Sequence, residues 1–343
     1  MAGYPKLLAA SMLGGGLLLA ACGSSGSGTA GSSSSTTTLP TLAATPTALH
    51  FFLHSQEQGL FGPDGKPGNP NQPPAVGDYF TDSDIVYSGT HSSHPAASIG
   101  SAHLLCAVTA VSGNGGTGVC NGLIDLGGSL LVADHQPVDL SGSSVKLNIT
   151  GGTGQYEGAQ GTLSSTDVGN TNDTDLTLSV SRPSGKAGPT PSATEGPSPS
   201  STPQVLHYYS VSTANLQFGP DGKAITDPNA GPSVGDYFVS SDNDYTGTHT
   251  NHGKPVAATD HLVCVLLAFS QSAQTATAVC DGGVAIGNSM LVAEHQTVQL
   301  SNAQGVSVNL TGGTGRYQGA HGTVHSDSLA NTNNSDLTVT FSK

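Results

Sequence analysis

Tryptophan is absent from this sequence, and only 9% of its 343 residues are charged. Lys and Arg together number 9 against 23 acidic residues, which gives a formal net charge of -14. Because nucleic-acid binding needs clustered Lys and Arg to neutralise phosphates, the composition argues against DNA or RNA as a partner. The sequence also lacks a G-x-S-x-G elbow, an H-E-x-x-H pair and a dinucleotide fingerprint, which argues against a cofactor-dependent enzyme.

Glycine, by contrast, is abundant, with 47 residues, and one glycine-rich block occurs twice. Residues 149–162 read ITGGTGQYEGAQGT, and residues 310–323 read LTGGTGRYQGAHGT. The residues around the two blocks also match in order, so the chain contains two tandem copies of one domain-sized repeat. Such a block suits a tight crossing between strands, because glycine accepts positive φ and close backbone approach.

Each repeat has the pattern of an all-β domain. Residues 145–150 and 306–311 alternate apolar and polar side chains with the two-residue period of a strand. About eight such segments per repeat, joined by short turns, predict an antiparallel barrel or sandwich. The predicted repeats cover residues 47–181 and 204–343. The linker between them, residues 182–203, is rich in Pro, Ser and Thr, which predicts that the two domains move independently.

The N-terminus predicts an address outside the cytoplasm. Residues 1–21 carry one Lys and a short apolar run, which is typical of a signal peptide and too short to span a membrane. The sequence LAAC at residues 19–22 resembles a bacterial lipobox, which implies cleavage before Cys22 and a lipid anchor in the cell membrane on its sulfur. Residues 22–46 then form a Ser/Thr/Gly tether. An ordinary signal peptide that contains a Cys remains the alternative.

The other four cysteines form two pairs, one in each repeat. Cys106 and Cys120 flank one polar turn, and Cys264 and Cys280 flank the equivalent turn. A hairpin centred on each turn would place the two sulfurs opposite each other on neighbouring strands. Outside the cytoplasm this predicts one disulfide per domain, with free buried thiols or a metal site as alternatives. Neither pair is a C-x-x-C, so zinc is not expected.

Three motifs in a constant order suggest a family. Each repeat contains GDYF (residues 77–80 in the first copy), then Tyr-Ser/Thr-Gly-Thr-His (residues 87–91), and later the glycine block. This order resembles the allene oxide cyclase and dirigent superfamily, and in particular bacterial allene-oxide-cyclase-like barrel proteins. The resemblance implies two tandem eight-stranded antiparallel β-barrels, each with an apolar interior that binds a hydrophobic small molecule. It further implies cofactor-free cyclisation, isomerisation or steered radical coupling, and it leaves open a homo-oligomer, since plant members are often trimers.

Paired histidines supply candidates for acid–base chemistry. If the central hairpin is centred as the cysteines indicate, His261 lies diagonal to Asp281 on one face. A carboxylate there would hold the imidazole tautomer and raise its pKa, as a general base requires. The first repeat has His103 and Asn121 at these places, so the dyad would exist only in the second repeat. The catalytic candidates are therefore His261, Asp281 and His103, and a structural histidine at the barrel mouth is the alternative.

Four more residues are candidates for ligand contact. Dirigent-like sequences tend to carry an Arg where this chain has His135 and His295, so the resemblance implies a ligand-facing donor there. Each follows an acidic residue, and neighbours on a strand point to opposite faces, so only one of each pair can line the interior. Tyr87 and Tyr245 could supply hydroxyl groups, or be half-buried strand residues. The H-x-x-H spacing after each of these tyrosines has no evident third ligand, and no metal is predicted.

The sequence thus supports two functional hypotheses. The first is a membrane-anchored lipoprotein whose two barrels bind a hydrophobic small molecule and guide a cofactor-free cyclisation or isomerisation. The second is a non-catalytic envelope module for display, adhesion or spacing, which the tether, the linker and the low charge would suit. A cavity inside the barrels that carries polar groups would favour the first hypothesis, and a packed apolar core would favour the second.

Overall fold

The computed structural model describes residues 39–343, with gaps at 70–71, 113–114, 141–143, 170, 184–186, 193, 195, 228–230, 271–274 and 302–304. The predicted signal peptide and Cys22 lie outside these residues, so the lipoprotein signal stays a prediction. Within the described part, no helix has the length and apolar character needed to cross a bilayer.

The chain folds into two nearly closed antiparallel β-barrels of nine strands each, which confirms the all-β barrel prediction. The first barrel consists of β1 (Thr47–Phe61), β2 (Tyr79–Ser88), β3 (Gly100–Ser112), β4 (Gly115–Leu126), β5 (Ser129–Asp139), β6 (Lys146–Ile149), β7 (Gly151–Gly152), β8 (Gln160–Asp167) and β9 (Thr174–Ser181). The second consists of β10 (Gln204–Phe218), β11 (Tyr237–Thr248), β13 (Ala258–Ser270), β14 (Thr275–Ile286), β15 (Ser289–Ser301), β16 (Val306–Leu310), β17 (Gly312–Gly313), β18 (His321–Ser328) and β19 (Ser335–Ser342), with a short β12 (Asn251–His252) beside β11.

The glycine block closes each barrel. β6 pairs with β8, whereas β7, which follows after one residue, pairs with β5. One chain segment therefore joins the two ends of the sheet, and its interruption at Thr150 makes nine strands where the sequence predicts eight. The crossing is tight, because a Cβ on Gly152 would lie 2.7 Å from the Leu130 carbonyl oxygen. A short 3-10 turn then carries the fully buried ring of Tyr156.

Both predicted disulfides are present. Cys106–Cys120 links β3 to β4, and Cys264–Cys280 links β13 to β14, with each pair directly opposed in the strand register. All four cysteines are fully buried in the barrel cores. Each disulfide therefore cross-links the two strands of the long central hairpin within the barrel core.

Converting Cys264 and Cys280 together to Ala is expected to lower the free energy of unfolding by about 3 kcal/mol, because a cross-link over a loop of this length restricts the unfolded chain. Urea denaturation measures the loss. The equivalent change of Cys106 and Cys120 should have a similar effect, since the sequence separations are 16 and 14 residues. A loss below about 1 kcal/mol in both variants would show that the bonds add little to stability.

The two barrels pack directly against each other. A shared apolar core lies between β4 and β5 of the first barrel and β14 and β15 of the second, and it consists of Leu123, Leu130, Val132, Ala285, Met290 and Val292. The linker also contacts the second barrel, since the Ser192 N–H donates to the Val256 carbonyl. The expectation of independently moving domains is corrected by this core. The barrels pack together because β5 is apolar on both faces. One face of β5 lies in the core of its own barrel, and the other face is buried against the second barrel.

Candidate functional site

The second barrel contains a cavity of about 400 Å³. The strands line it with the polar residues Ser240, Asp242, Asp260 and His261 and with a set of apolar side chains: Phe238, Val284, Leu291, Val306, Val308, Leu310, Val324 and Leu337. Residues of the loop between β18 and β19, Thr332 to Asn334, border it. A volume of this size falls within the range of small-molecule sites in proteins.

The first barrel is filled where the second is hollow. Its interior cavity is about 70 Å³. The directly opposed pair Leu147–Leu163 occupies the place that Val308–Val324 takes in the second barrel, and it removes space because leucine is longer than valine. Leu53 of the first barrel corresponds to Ser210 of the second and adds to the filling. The cavity is thus a property of the second repeat.

Three carboxyl groups lie inside the second barrel beside this cavity. Asp242 and Asp260 are directly opposed on β11 and β13, and both border the cavity. Asp244, two residues further along β11, is completely buried. Ser240 Oγ donates to Asp242 Oδ2 over 3.1 Å, and Ser210 Oγ donates to Asp244 Oδ1.

Burial dominates the acidity of this cluster. Burial, together with a smaller contribution from the charge of Asp242, raises the pKa of Asp244 to about 7. Burial and the charges of Asp244 and Asp242 raise the pKa of Asp260 well above its usual range. The pKa of Asp242 is also raised by burial. Carboxyl groups this close share protons, because adjacent ionised carboxylates repel each other strongly in a medium of low polarity.

The first barrel keeps only part of this cluster. Val86 and Ala102 stand at the positions of Asp244 and Asp260, whereas Asp84 corresponds to Asp242. Asp82 adds a buried acid there, and burial raises its pKa to about 7. Sequence reasoning missed both sets of acids. The available signal was the occurrence of Asp at alternate positions of β11, which places them on one face of the strand.

The predicted catalytic histidines border the barrel cavities, and their side chains bond across the interface to the other barrel. His261 Nε2 donates to Asp134 Oδ1 of the first barrel over 2.6 Å, and His261 Nδ1 lies 2.8 Å from Ser241 Oγ. The expected pair of His261 with Asp281 is not formed. The Asp281 side chain instead accepts hydrogen bonds from the His295 N–H and from Asn121 Nδ2. The strand register is as predicted, but the ring turns to a carboxylate that the other barrel supplies.

A second histidine–carboxylate pair is related to the first by the repeat. His103 Nε2 lies 3.4 Å from Glu294 Oε1, and His103 Nδ1 lies 3.0 Å from Ser83 Oγ. Burial lowers the pKa of His103 to about 4 and raises the pKa of Glu294 to about 7. At the first pair, burial opposes ionisation of Asp134, but the His261 charge and hydrogen bond outweigh it and hold the Asp134 pKa below its usual value. The catalytic role of His261, Asp281 and His103 stays a prediction.

A β-bulge directs the predicted ligand-binding histidines to the same interface. His135 and His295 both have φ of 50°, and each N–H donates to the side chain at the bulge, Asn121 or Asp281. Their rings stack on Tyr237 and Tyr79 of the opposite barrel, with centroids 4.3 and 4.4 Å apart. Since Asp134 and Glu294 also face the partner barrel, the expectation that one member of each pair lines the interior is corrected.

Tyr87 and Tyr245 occupy the outer surface. The Tyr87 ring packs with Phe52 and His94, and the Tyr245 ring packs with Tyr209 and His252. Of the four predicted ligand-binding residues, none appears among the described residues that line the two cavities. Across the described part of the chain, no group of three or more His, Cys, Asp or Glu residues is arranged to hold a metal ion.

No family model and no curated protein matches this sequence. Among solved structures, the chain is similar to a pyocyanin demethylase, at 25% identity and a TM-score of 0.31, over 39% of this chain and 100% of that one. It is also similar to a pterocarpan synthase dirigent protein, at 18% identity and a TM-score of 0.29, over 39% of this chain and 83% of that one.

Proposed function

We propose that the second barrel binds a small, largely apolar molecule and guides a cofactor-free isomerisation or cyclisation of it. The observation that carries the proposal is the cavity of about 400 Å³, whose lining combines apolar side chains with polar ones that include Asp242 and Asp260. Apolar walls hold the body of a ligand in one conformation, and a few convergent polar groups orient it.

The carboxyl cluster suits proton transfer near neutral pH. A general acid or base is most effective when its pKa lies near the working pH, and the pKa of Asp244 is raised to about 7. In the proposed reaction a protonated carboxyl donates a proton to one ligand atom, and an ionised neighbour removes a proton from another. The number of protons on the ligand is unchanged, so the step is an isomerisation that needs no redox partner.

The first barrel has a different role in this proposal. Its cavity of about 70 Å³ has room for little more than water. It instead contributes the apolar face and the carboxylate of Asp134 that meet the second barrel. Binding should therefore have a stoichiometry of one ligand per chain.

The paired change Val308→Leu and Val324→Leu, which copies the first barrel, is expected to weaken ligand binding at least 10-fold, equivalent to about 1.4 kcal/mol. The added methylenes occupy the ligand's space. Native mass spectrometry of the protein after exposure to extracts of the producing cell identifies a retained molecule. Titration of that molecule with each variant then measures affinity.

Val205→Leu provides the matched control, because it adds the same methylene at a side chain that is 50% exposed. It should leave binding unchanged. Undiminished binding by the filled variant would show that the ligand sits elsewhere. Persistent absence of any ligand from the folded wild-type protein would contradict the proposal and favour the structural envelope module.

We further propose that lipid on Cys22 holds the chain on the outer face of the cell membrane. The apolar N-terminal segment and the LAAC sequence support this location. Two buried disulfides also suit an oxidising compartment. Failure of the chain to incorporate a labelled fatty acid at Cys22 would contradict the anchor.

A further inference from the structure

We infer that the ligand of the second barrel is an organic cation, with an apolar body and one primary ammonium group that binds to Asp242 and Asp260, with Asp244 buried behind them. The inference rests on the proposed function and names its ligand class. It depends on how Asp242, Asp244 and Asp260 meet, and on which donors their oxygens have.

The three carboxyl groups converge on one point of the barrel wall. Asp242 and Asp260 form a direct cross-strand pair, and such pairs have Cβ atoms about 4.5–5.5 Å apart. Asp244 projects from the same face of β11 and makes a hydrogen-bond contact with Asp260. Like charges directly opposite one another destabilise a sheet, so this arrangement needs protons or a cation between the carboxylates.

Two oxygens of the cluster have a protonated Asp260 as their donor and no hydroxyl or amide donor. Asp242 Oδ1 and Asp244 Oδ2 are buried beside Asp260, while their other oxygens accept hydrogen bonds from Ser240 and Ser210. Asp242 is 9% exposed and borders the cavity. Buried acceptors with too few donors are costly, so a ligand that brings donors gains from meeting them.

The one basic side chain of the described cavity lining is His261, and it is bonded to the other barrel. On β10 the cluster faces Ser210, Ser212 and the buried Tyr208, and none of these carries a positive charge at neutral pH. On β13 the His261 charge opposes the rise in the pKa of Asp242, but His261 Nε2 is bonded to Asp134. The described cavity lining includes neither Lys nor Arg.

The number of donors favours a primary ammonium over other ligand groups. An ammonium has three N–H donors and no acceptor, which suits the carboxyl oxygens of Asp242 and Asp260 at the cavity wall. A hydroxyl group has a single donor, and a carboxylate has none. The apolar walls favour an organic cation over a bare metal ion, and the described residues contain no metal-binding cluster.

The cross-strand acid pair and the large cavity occur together in the second repeat. The first barrel has Ala102 at the position of Asp260 and Val86 at that of Asp244, and the acids Asp82 and Asp84 border a cavity of only about 70 Å³.

Three molecules of similar shape test the charge requirement: 1-naphthylmethylamine, 1-naphthylmethanol and 1-naphthoate. Calorimetric titration of the full chain at pH 8 should give an amine affinity at least 10-fold above that of the alcohol, and no binding of the carboxylate. The advantage of the amine should shrink on going to pH 5, because protonated carboxyl groups no longer attract the cation.

The variant Asp244→Val with Asp260→Ala, which copies the first barrel, should bind amine and alcohol with similar affinity. Asp242→Asn preserves side-chain shape and is a second variant if the first does not fold. Asp327→Ala is the control, because this acid lies on the outer surface and its removal should change neither affinity. Equal or stronger binding of the alcohol by the wild-type protein would overturn the cation assignment and leave the proposed function intact. Failure of all three molecules to bind would contradict both.

Discussion

Replacing Asp134 with Ala is expected to lower the free energy of unfolding by about 2–3 kcal/mol, because it leaves a buried hydrogen-bonding group without its charged partner. The change leaves His261 Nε2 without its hydrogen-bond acceptor at a site where the His261 side chain is 1% exposed. The effect should appear in urea denaturation at pH 7. The loss should be shared by both barrels, because the pair lies in the interface between them.

Glu294→Ala is the matched control for this change, because the repeat relates Glu294 to Asp134. Its effect should be smaller, about 1 kcal/mol. The atoms of that pair are 3.4 Å apart, and the shifted pKa values leave His103 neutral and Glu294 largely protonated between about pH 4 and 7. A double-mutant cycle of Asp134→Ala with His261→Ala then isolates the pair's coupling. Equal losses for Asp134→Ala and Glu294→Ala would contradict the distinction between the two pairs.

Removing the acid cluster is expected to make the stability of the protein less dependent on pH. The pKa of Asp244 rises from an ordinary value of 3.8 to about 7 on folding. A group with a raised folded pKa contributes stability that is complete below about pH 4 and is lost as pH rises through about 7. For a shift of this size the loss is on the order of 4 kcal/mol for a single site.

Asp244→Val with Asp260→Ala should therefore raise the free energy of unfolding at pH 8 relative to wild type, with a smaller gain at pH 5. Thermal or urea denaturation between pH 4 and pH 9 measures the slope. Asp82→Ser in the first barrel is the matched comparison, since Ser240 stands at that position in the second barrel and burial raises the pKa of Asp82 to about 7. An unchanged slope in both variants would show that these carboxyl groups ionise normally in the folded protein.

The interior of the second barrel illustrates a conflict between stability and function. Val308 and Val324 leave space that leucines fill in the first barrel, and Asp244 and Asp260 replace Val86 and Ala102. Cavities and buried acids both cost stability. The first barrel, which has fewer of these features, packs tightly against the second and can offset part of that cost.

The histidines show where prediction from the sequence stopped. The alternation of the hairpin correctly placed His261 diagonal to Asp281, since Asp281 opposes Val263 in the register. The hydrogen bond nevertheless goes to Asp134, 127 residues away in the chain. The alternation of residues in a strand defines which side chains share a face, but it does not show which other part of the protein packs against that face. The β-bulges at His135 and His295 also escaped prediction. Simple alternation places adjacent residues on opposite faces of a strand, whereas a bulge turns them toward the same side.

The sequence by itself determined the duplication, the all-β class, the closing glycine crossing and the two disulfides. These features depend on short-range rules: a two-residue period, the backbone freedom of glycine, and cysteines equally placed about a turn. Only the tertiary structure decided that the barrels share a core, that His261 and Asp134 meet across it, and that one barrel is hollow while the other is filled. The physical reason is that interfaces and cavities arise from the fit of side chains far apart in sequence, where a difference of one methylene or one charge changes the outcome.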